Sequence, residues 1–144
     1  MSEVFRTEIP VRFADVDDAR VVYYPQFLDY CHVAFEEWMR DGLGKPYAET
    51  FQRDGIGCPA VNVDVDYVAP ARYGDVLRVE VTCTRVGGKS ATVRYRMTRV
   101  RDGVRCVDAR VTIASVEMAS FRAIPHPPHI RAFFERYLEA GEPA

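Results

Sequence analysis

The stretch Gln26-Phe27-Leu28-Asp29-Tyr30-Cys31-His32-Val33-Ala34-Phe35-Glu36-Glu37-Trp38-Met39-Arg40 decides the architecture. Phe27, Tyr30, Cys31, Ala34, Phe35 and Trp38 recur at the three- and four-residue spacing that stacks side chains on one face of an α-helix. Asp29, His32, Glu36 and Arg40 follow the opposite face. The spacing predicts one amphipathic helix with a deep aromatic stripe. Pro25 suits its first turn, where a missing N–H costs nothing, and Gly42 is the expected left-handed terminus, giving a helix over 25–41.

Downstream the period changes to two. Val61, Val63, Val65 and Tyr67 alternate with Asn62, Asp64 and Asp66, and Leu77, Val79, Val81 and Cys83 alternate with Arg78, Glu80, Thr82 and Thr84. Ala91, Val93, Tyr95 and Met97, then Val107, Ala109, Val111 and Ile113, repeat the pattern, with Gly87-Gly88 and Asp102-Gly103 as hairpin turns. These runs predict half-buried strands from Pro59 to Tyr67 and, as a meander, over 75–86, 89–101 and 104–117. Phe5–Phe13 also alternates and predicts a first strand, while Ile124-Pro125-His126-Pro127-Pro128 leads into a short helix carrying Ile130, Phe133, Phe134 and Tyr137 on one face. The class is α+β: an antiparallel sheet of about five strands must cover its apolar face, and only the helix at 25–41 is long enough to do so. Strand and helix do not alternate, and no GxGxxG or GxxxxGK[ST] occurs, so a nucleotide-binding parallel sheet is excluded.

With 144 residues, 48% of them hydrophobic, the chain supplies one sizeable core, so a single domain is expected over 1–144, with its core at about 5–120 and a linker and short helix at 121–140. Nineteen basic against 21 acidic residues leave a net charge of -2, too little field to draw the protein to nucleic acid or an anionic membrane. Apolar runs are too short to span a bilayer and the N-terminus has no basic-then-apolar leader, so a cytoplasmic protein is expected. Cys31, Cys58, Cys83 and Cys106 form no CxxC, and the three histidines no HxxxH, so neither a metal nor another cofactor is expected.

The chemistry concentrates in Val11-Arg12-Phe13-Ala14-Asp15-Val16-Asp17-Asp18-Ala19-Arg20-Val21-Val22-Tyr23-Tyr24-Pro25. Three acids precede a helix whose start offers no short side-chain acceptor, so the amides of Tyr24, Gln26 and Phe27 are expected to lack partners. Free amides at a helix start carry partial positive charge and can polarise a carbonyl, with a loop carboxylate on its other side. An acid-rich loop equally serves as a solvated turn or a helix cap.

Arg12-Phe13-Ala14-Asp15-Val16-Asp17 with Val21-Val22-Tyr23-Tyr24-Pro25-Gln26-Phe27 resembles the signature of the 4-hydroxybenzoyl-CoA thioesterase family, and Tyr67-Val68-Ala69-Pro70-Ala71-Arg72-Tyr73-Gly74-Asp75-Val76-Leu77 looks like that family's second landmark. The resemblance covers about residues 7–125 and implies a hotdog fold whose subunits pair sheets edge to edge, as a homodimer or homotetramer, and bind acyl-CoA at the interface. It implies that Asp17 is the catalytic carboxylate and that the Tyr24 amide polarises the thioester carbonyl, with Asp15 left to a turn or cap. A thioester lacks the resonance of an ester, so a carboxylate can attack it or direct a water at it; both routes stay open. Tyr23, Pro25, Phe27 and Arg20 are candidates for substrate binding, Arg20 through an acidic acyl substituent or a CoA phosphate. Arg85, Lys89 and Ser90 around Gly87-Gly88 are candidates for the CoA phosphates.

The family pattern places a glycine two to four residues after the aspartate, where this chain has Asp18-Ala19-Arg20. Arginine disfavours positive φ, so a different loop path is expected. The rival readings are a noncatalytic acyl-CoA-binding protein of the same fold and a hotdog dehydratase, which would need a His–acid pair that His32 does not evidently have. A helix carboxylate, Glu36 or Glu37, is a further minor candidate.

Overall fold

The computed structural model describes residues 2–140. Its main sheet has five antiparallel strands in the order β1-β4-β5-β6-β3, where β1 is Phe5–Pro10, β3 Ala60–Tyr67, β4 Val76–Val86, β5 Ser90–Arg99 and β6 Arg105–Ala114. This is the hotdog fold, with helix α1 (Gln26–Leu43) packed against the concave face. Strand β5 is central and alternates strictly between buried and half-buried residues, as its period of two requires. Strand β3 departs from the expected half-burial: nearly every residue is exposed, because it is an edge strand with a neighbour, β6, on one side only. The opening segment is shorter than expected, since β1 stops at Pro10 and Phe13–Asp15 forms a 3-10 turn.

Helix α1 runs two residues beyond the expected end. Gly44, at φ 72°, is the left-handed cap and donates its N–H to Arg40 O at 3.0 Å. Gly42 lies inside the helix for another reason: a Cβ there would collide with the Phe133 ring. That ring belongs to helix α3 (Pro128–Arg136), whose Ile130, Phe133 and Phe134 are buried in the same cluster as Trp38. The indole of Trp38 lies 4.4 Å from the Phe133 ring centroid and 5.3 Å from that of Tyr137. The C-terminal helix is therefore part of the core, which extends past the expected limit near residue 120. The chain then returns to the sheet, where Glu139 N–H bonds Cys83 O at 2.7 Å.

Four short elements were not expected as such: helix α2 (Tyr47–Gln52), which follows α1, and strands β2 (Ile56–Gly57), β7 (Val116–Glu117) and β8 (Arg122–Ala123), which form a separate three-stranded sheet. The strand expected over 104–117 therefore ends at Ala114, and its last two residues join the second sheet as β7. Among the described residues no helix is long and apolar enough to cross a membrane.

Candidate active site

The acid loop leaves β1 at Pro10, which pairs with Val76 at the start of β4. Both of its arms are tied to the second landmark: Val11 N–H bonds Asp75 O and Val22 N–H bonds Ala71 O, each at 2.8 Å. Within the loop Val16 and Val22 form an antiparallel bridge, and Asp17 N–H bonds Val21 O at 3.0 Å. Residues 17–21 thus close a tight turn whose first residue is Asp17. One carboxylate oxygen of Asp17 accepts the Ala19 N–H at 2.8 Å; the other accepts no hydrogen bond among the described residues, and the side chain is exposed.

Arg20 completes the turn at φ 65° and donates its N–H to Asp17 O at 2.9 Å. The expected obstacle, that arginine avoids positive φ, does not hold at this turn. The arginine adopts the left-handed conformation for which glycine is the easy choice, at a steric cost of about 1–2 kcal/mol.

Asp15 has a structural set of bonds. Its Oδ2 accepts Arg12 N–H at 2.9 Å and the Tyr30 hydroxyl at 2.7 Å, and its backbone O accepts Tyr23 N–H at 3.0 Å. Burial, followed by that bond to Asp15, pushes the Tyr30 phenol well above its ordinary range, so it stays a donor. The helix start is better satisfied than expected: Gln26 N–H reaches Tyr23 O at 2.8 Å and Phe27 N–H reaches Tyr24 O at 3.4 Å. Of the three amides only that of Tyr24 makes no hydrogen bond among the described residues, and Pro25 caps the helix with no side-chain acceptor.

The second landmark buttresses this loop. Asp75 is 7% exposed; its carboxylate accepts Arg72 N–H at 2.9 Å and Arg101 Nε–H at 2.6 Å. Burial works to raise its pKa, but the Arg101 and Arg72 hydrogen bonds outweigh burial and hold it below the ordinary carboxylate value. Arg99 grips the same segment through Pro70 O at 2.8 Å.

The remaining candidates separate. Tyr23 and Tyr24 are exposed beside the loop, and the Tyr67 hydroxyl donates to Tyr24 O at 3.1 Å. Phe27 is buried, its ring 5.8 Å from both Tyr30 and Tyr67, and it faces the core. Arg85 Nη2 donates to Ser90 Oγ at 2.9 Å across the Gly87–Gly88 turn, beside the exposed Lys89. That turn lies at the far end of β4 from the acid loop, about 30 Å away at roughly 3.3 Å per residue, so one chain does not bring the two together. His32 faces Glu36 at 4.0 Å on an exposed surface.

Sequence reasoning missed a cavity of about 420 Å³ between α1, α2 and the sheet. Leu28, Cys31, His32 and Phe35 of α1 form one wall, and Tyr47, Cys58, Tyr95, Val111 and Phe121 contribute to the others. No local pattern could have disclosed it, because its lining comes from separate elements. The one hint is Leu28, an apolar residue that flanks the core stripe of α1.

Known proteins agree with this architecture. Residues 11–134 match the family model of the thioesterase-like superfamily. A 1,4-dihydroxy-2-naphthoyl-CoA hydrolase from Acaryochloris marina is 34% identical over 106 residues, which are 74% of this chain and 76% of the relative. The crystal structure of a 1,4-dihydroxy-2-naphthoyl-CoA thioesterase from Synechocystis superposes with a TM-score of 0.83 at 26% identity, over 92% of this chain and 96% of that one. A thioesterase superfamily structure from Jannaschia sp. CCS1 gives 0.88 at 25% identity, over 95% and 94%. The match is to the superfamily as a whole and does not single out its 4-hydroxybenzoyl-CoA branch. With that match spanning most of the chain, over a five-stranded sheet wrapped on one helix, the protein belongs to the thioesterase-like superfamily of hotdog-fold thioester hydrolases.

Proposed function

We propose that this protein hydrolyses an aryl-CoA thioester, with Asp17 as nucleophile or general base and the Tyr24 amide as the donor to the developing oxyanion. The observation that carries the reading is the pairing of an amide without a partner at the start of α1 with a free carboxylate oxygen on Asp17, in a loop bridged back onto the residue two before that amide. Attack by Asp17 at the thioester carbonyl carbon expels CoA as the thiolate and leaves a mixed anhydride, which water opens to the free acid; alternatively Asp17 takes a proton from the attacking water. In both routes the negative charge grows on the carbonyl oxygen, where the Tyr24 N–H and the helix start stabilise it. The relatives' dihydroxynaphthoyl substrates and the exposed Tyr23 and Tyr24 rings favour an aromatic acyl group.

The active unit in this reading is a dimer through β3. That edge exposes Val61 and Val63 (61% and 45% exposed), whereas the other edge strand, β1, presents the ion pairs Arg6–Glu80 and Glu8–Arg78. Two-fold antiparallel pairing of β3 reverses the strand ends. The Ala60 end of one copy, in register through Ile113 and Ala114 with Ala91 and Ser90, then meets the Tyr67 end of the other, where Tyr24 lies. This supports a site in which Arg85, Lys89 and Ser90 of the partner subunit hold the CoA phosphates, since the 30 Å separation within one chain is crossed between two.

Free-thiol release from benzoyl-, 4-hydroxybenzoyl-, phenylacetyl-, 1,4-dihydroxy-2-naphthoyl- and short-chain acyl-CoAs, measured for wild type and Asp17→Asn, tests the proposal. A loss in kcat of about 10²–10⁴-fold is expected for the variant. Equal rates would remove Asp17 from its role, and silence from wild type across the panel would favour the noncatalytic binding protein. Light scattering of the same samples should give a mass of two or four chains; a one-chain mass at micromolar concentration contradicts the shared site.

A further inference from the structure

The turn at 87–90, between β4 and β5, is gripped from one side. Its four carbonyls all accept hydrogen bonds from residues 115–131: Gly87 O from Arg131 Nη1–H, Gly88 O from His126 N–H and Lys89 O from Ser115 N–H, each at 2.9 Å, and Ser90 O from the His126 ring at 3.0 Å. In a trans peptide the C=O and the following N–H point in opposite directions, and the chain has no cis bond among the described residues. Drawing the Gly87 and Gly88 carbonyls inward therefore turns the Gly88 and Lys89 amides outward. Those two N–H groups donate to nothing among the described residues. Both residues are exposed, and a Cβ on Gly88 would meet no atom within 4 Å, so the outer side of the turn is open. Successive free amides beside the Arg85 and Lys89 side chains supply the donors an anion needs.

His126 ties this grip to the core. It is 6% exposed, and its ring lies edge-on to Phe134, 5.3 Å between centroids, within the cluster that encloses Trp38. A backbone carbonyl can only accept, so the ring nitrogen facing Ser90 O, Nε2, carries the proton; in the neutral ring Nδ1 accepts the Ser115 hydroxyl at 2.6 Å. Ser115 thus holds the turn twice, by its own N–H on Lys89 O and by fixing the ring that reaches Ser90 O. At 1% exposure its hydroxyl is shut away from substrate, so this Ser–His pair orients and does not react.

The inference rests on the proposed reading in which this turn holds the phosphates of CoA. We infer that His126 is a positioning residue: with Ser115 it fixes the carbonyls of 87–90 inward, so that the Gly88 and Lys89 N–H groups join the Arg85 and Lys89 side chains in binding a CoA phosphate. His126 itself touches neither the phosphate nor the reacting atoms.

Three thioethers that cannot be hydrolysed test this: phenacyl-CoA, phenacyl-dephospho-CoA, which lacks the ribose phosphate, and phenacyl-pantetheine, which lacks every phosphate. Calorimetry on wild type should give phenacyl-CoA about tenfold or more the affinity of phenacyl-pantetheine, the scale of hydrogen bonds to a charged group. The step of the series at which affinity falls identifies the ribose phosphate or the diphosphate as the group held. His126→Ala should narrow that gap to about twofold while moving phenacyl-pantetheine affinity less than about twofold, a split that a general loosening of the fold would not produce. His126→Gln, which keeps a donor toward Ser90 O, should retain more of the gap than His126→Ala, and Ser115→Ala should narrow it by a smaller factor. If His126→Ala does not fold, Ser115→Ala and the wild-type gap still decide. No gap in wild type, or one left intact by both substitutions, overturns the inference. A gap that depends on His126 without thiol release from any acyl-CoA sustains the phosphate site and defeats the hydrolase reading; thiol release that depends on Asp17, with a gap indifferent to His126 and Ser115, does the reverse.

Discussion

The two ends of α1 are built to opposite rules. At its C-terminal end Gly44 caps the last turn, Gly42 gives its surface to the Phe133 ring, and Trp38 is enclosed by Phe133, Phe134 and Tyr137. At its N-terminal end no side chain caps the helix and the Tyr24 amide is unbonded among the described residues, and Phe13, Tyr23 and Tyr24 are exposed. One end gathers most of the aromatic contact; the other leaves aromatic rings exposed beside the acid loop. In the proposed reading stability and chemistry are divided along a single helix, and substitutions at each end should separate in what they disturb.

The largest effect on stability belongs to Trp38→Ala. Trp38 is fully buried, so the change should cost about 3–5 kcal/mol in denaturant unfolding, while Asp17→Asn, whose target is exposed, should leave the unfolding midpoint nearly unchanged. Comparable destabilisation by both would break the contrast between the ends.

Asp75→Asn should fall between them. It weakens the bonds that hold the 71–75 segment beneath the acid loop, so a cost of about 1–3 kcal/mol near neutral pH is expected together with a lowered kcat. The pH dependence has a definite sign. The folded-state pKa of Asp75 is depressed, so its contribution is full above the unfolded carboxylate value of about 3.9 and is lost as pH falls through the lower folded value. Wild type and variant should therefore differ most near neutrality and converge in acid; a gap constant from pH 7 to pH 3 would show that the ionised Arg101 pair is not what Asp75 contributes.

Arg20→Gly should have the smallest effect. Relief of the φ 65° backbone is partly offset by the greater freedom of glycine in the unfolded chain, leaving a gain of about 0.5–1 kcal/mol. Unchanged KM and kcat would confine Arg20 to the turn, whereas a rise in KM for acyl-CoA would give its side chain a part in binding.

Much of this molecule was legible from periodicity. The aromatic stripe at three- and four-residue spacing announced α1, and alternation in Leu77–Cys83, Ala91–Met97 and Val107–Ile113 announced the central strands, because both patterns are imposed locally by backbone geometry. The acid loop and the uncapped helix start could also be read, and the resemblance selected Asp17 and Tyr24 from them. The sequence misled where a local rule had two solutions: Gly42 satisfies the cap rule as well as Gly44 does, but Phe133, more than 90 residues away along the chain, claims its surface.

By itself, then, the sequence determined the order of the main strands and of the long helix, the helix that the sheet wraps and the loop that carries the acids, all of which follow from neighbours in the chain. Only the tertiary structure decided that Arg20 accepts a positive φ, that among the described residues Tyr24 alone of the three starting amides lacks a partner, that α3 closes the core, and that Tyr47 and Tyr95 line one cavity. Each of these depends on segments distant in sequence competing for the same space and the same hydrogen bonds, and packing resolves that competition only once the whole chain has folded.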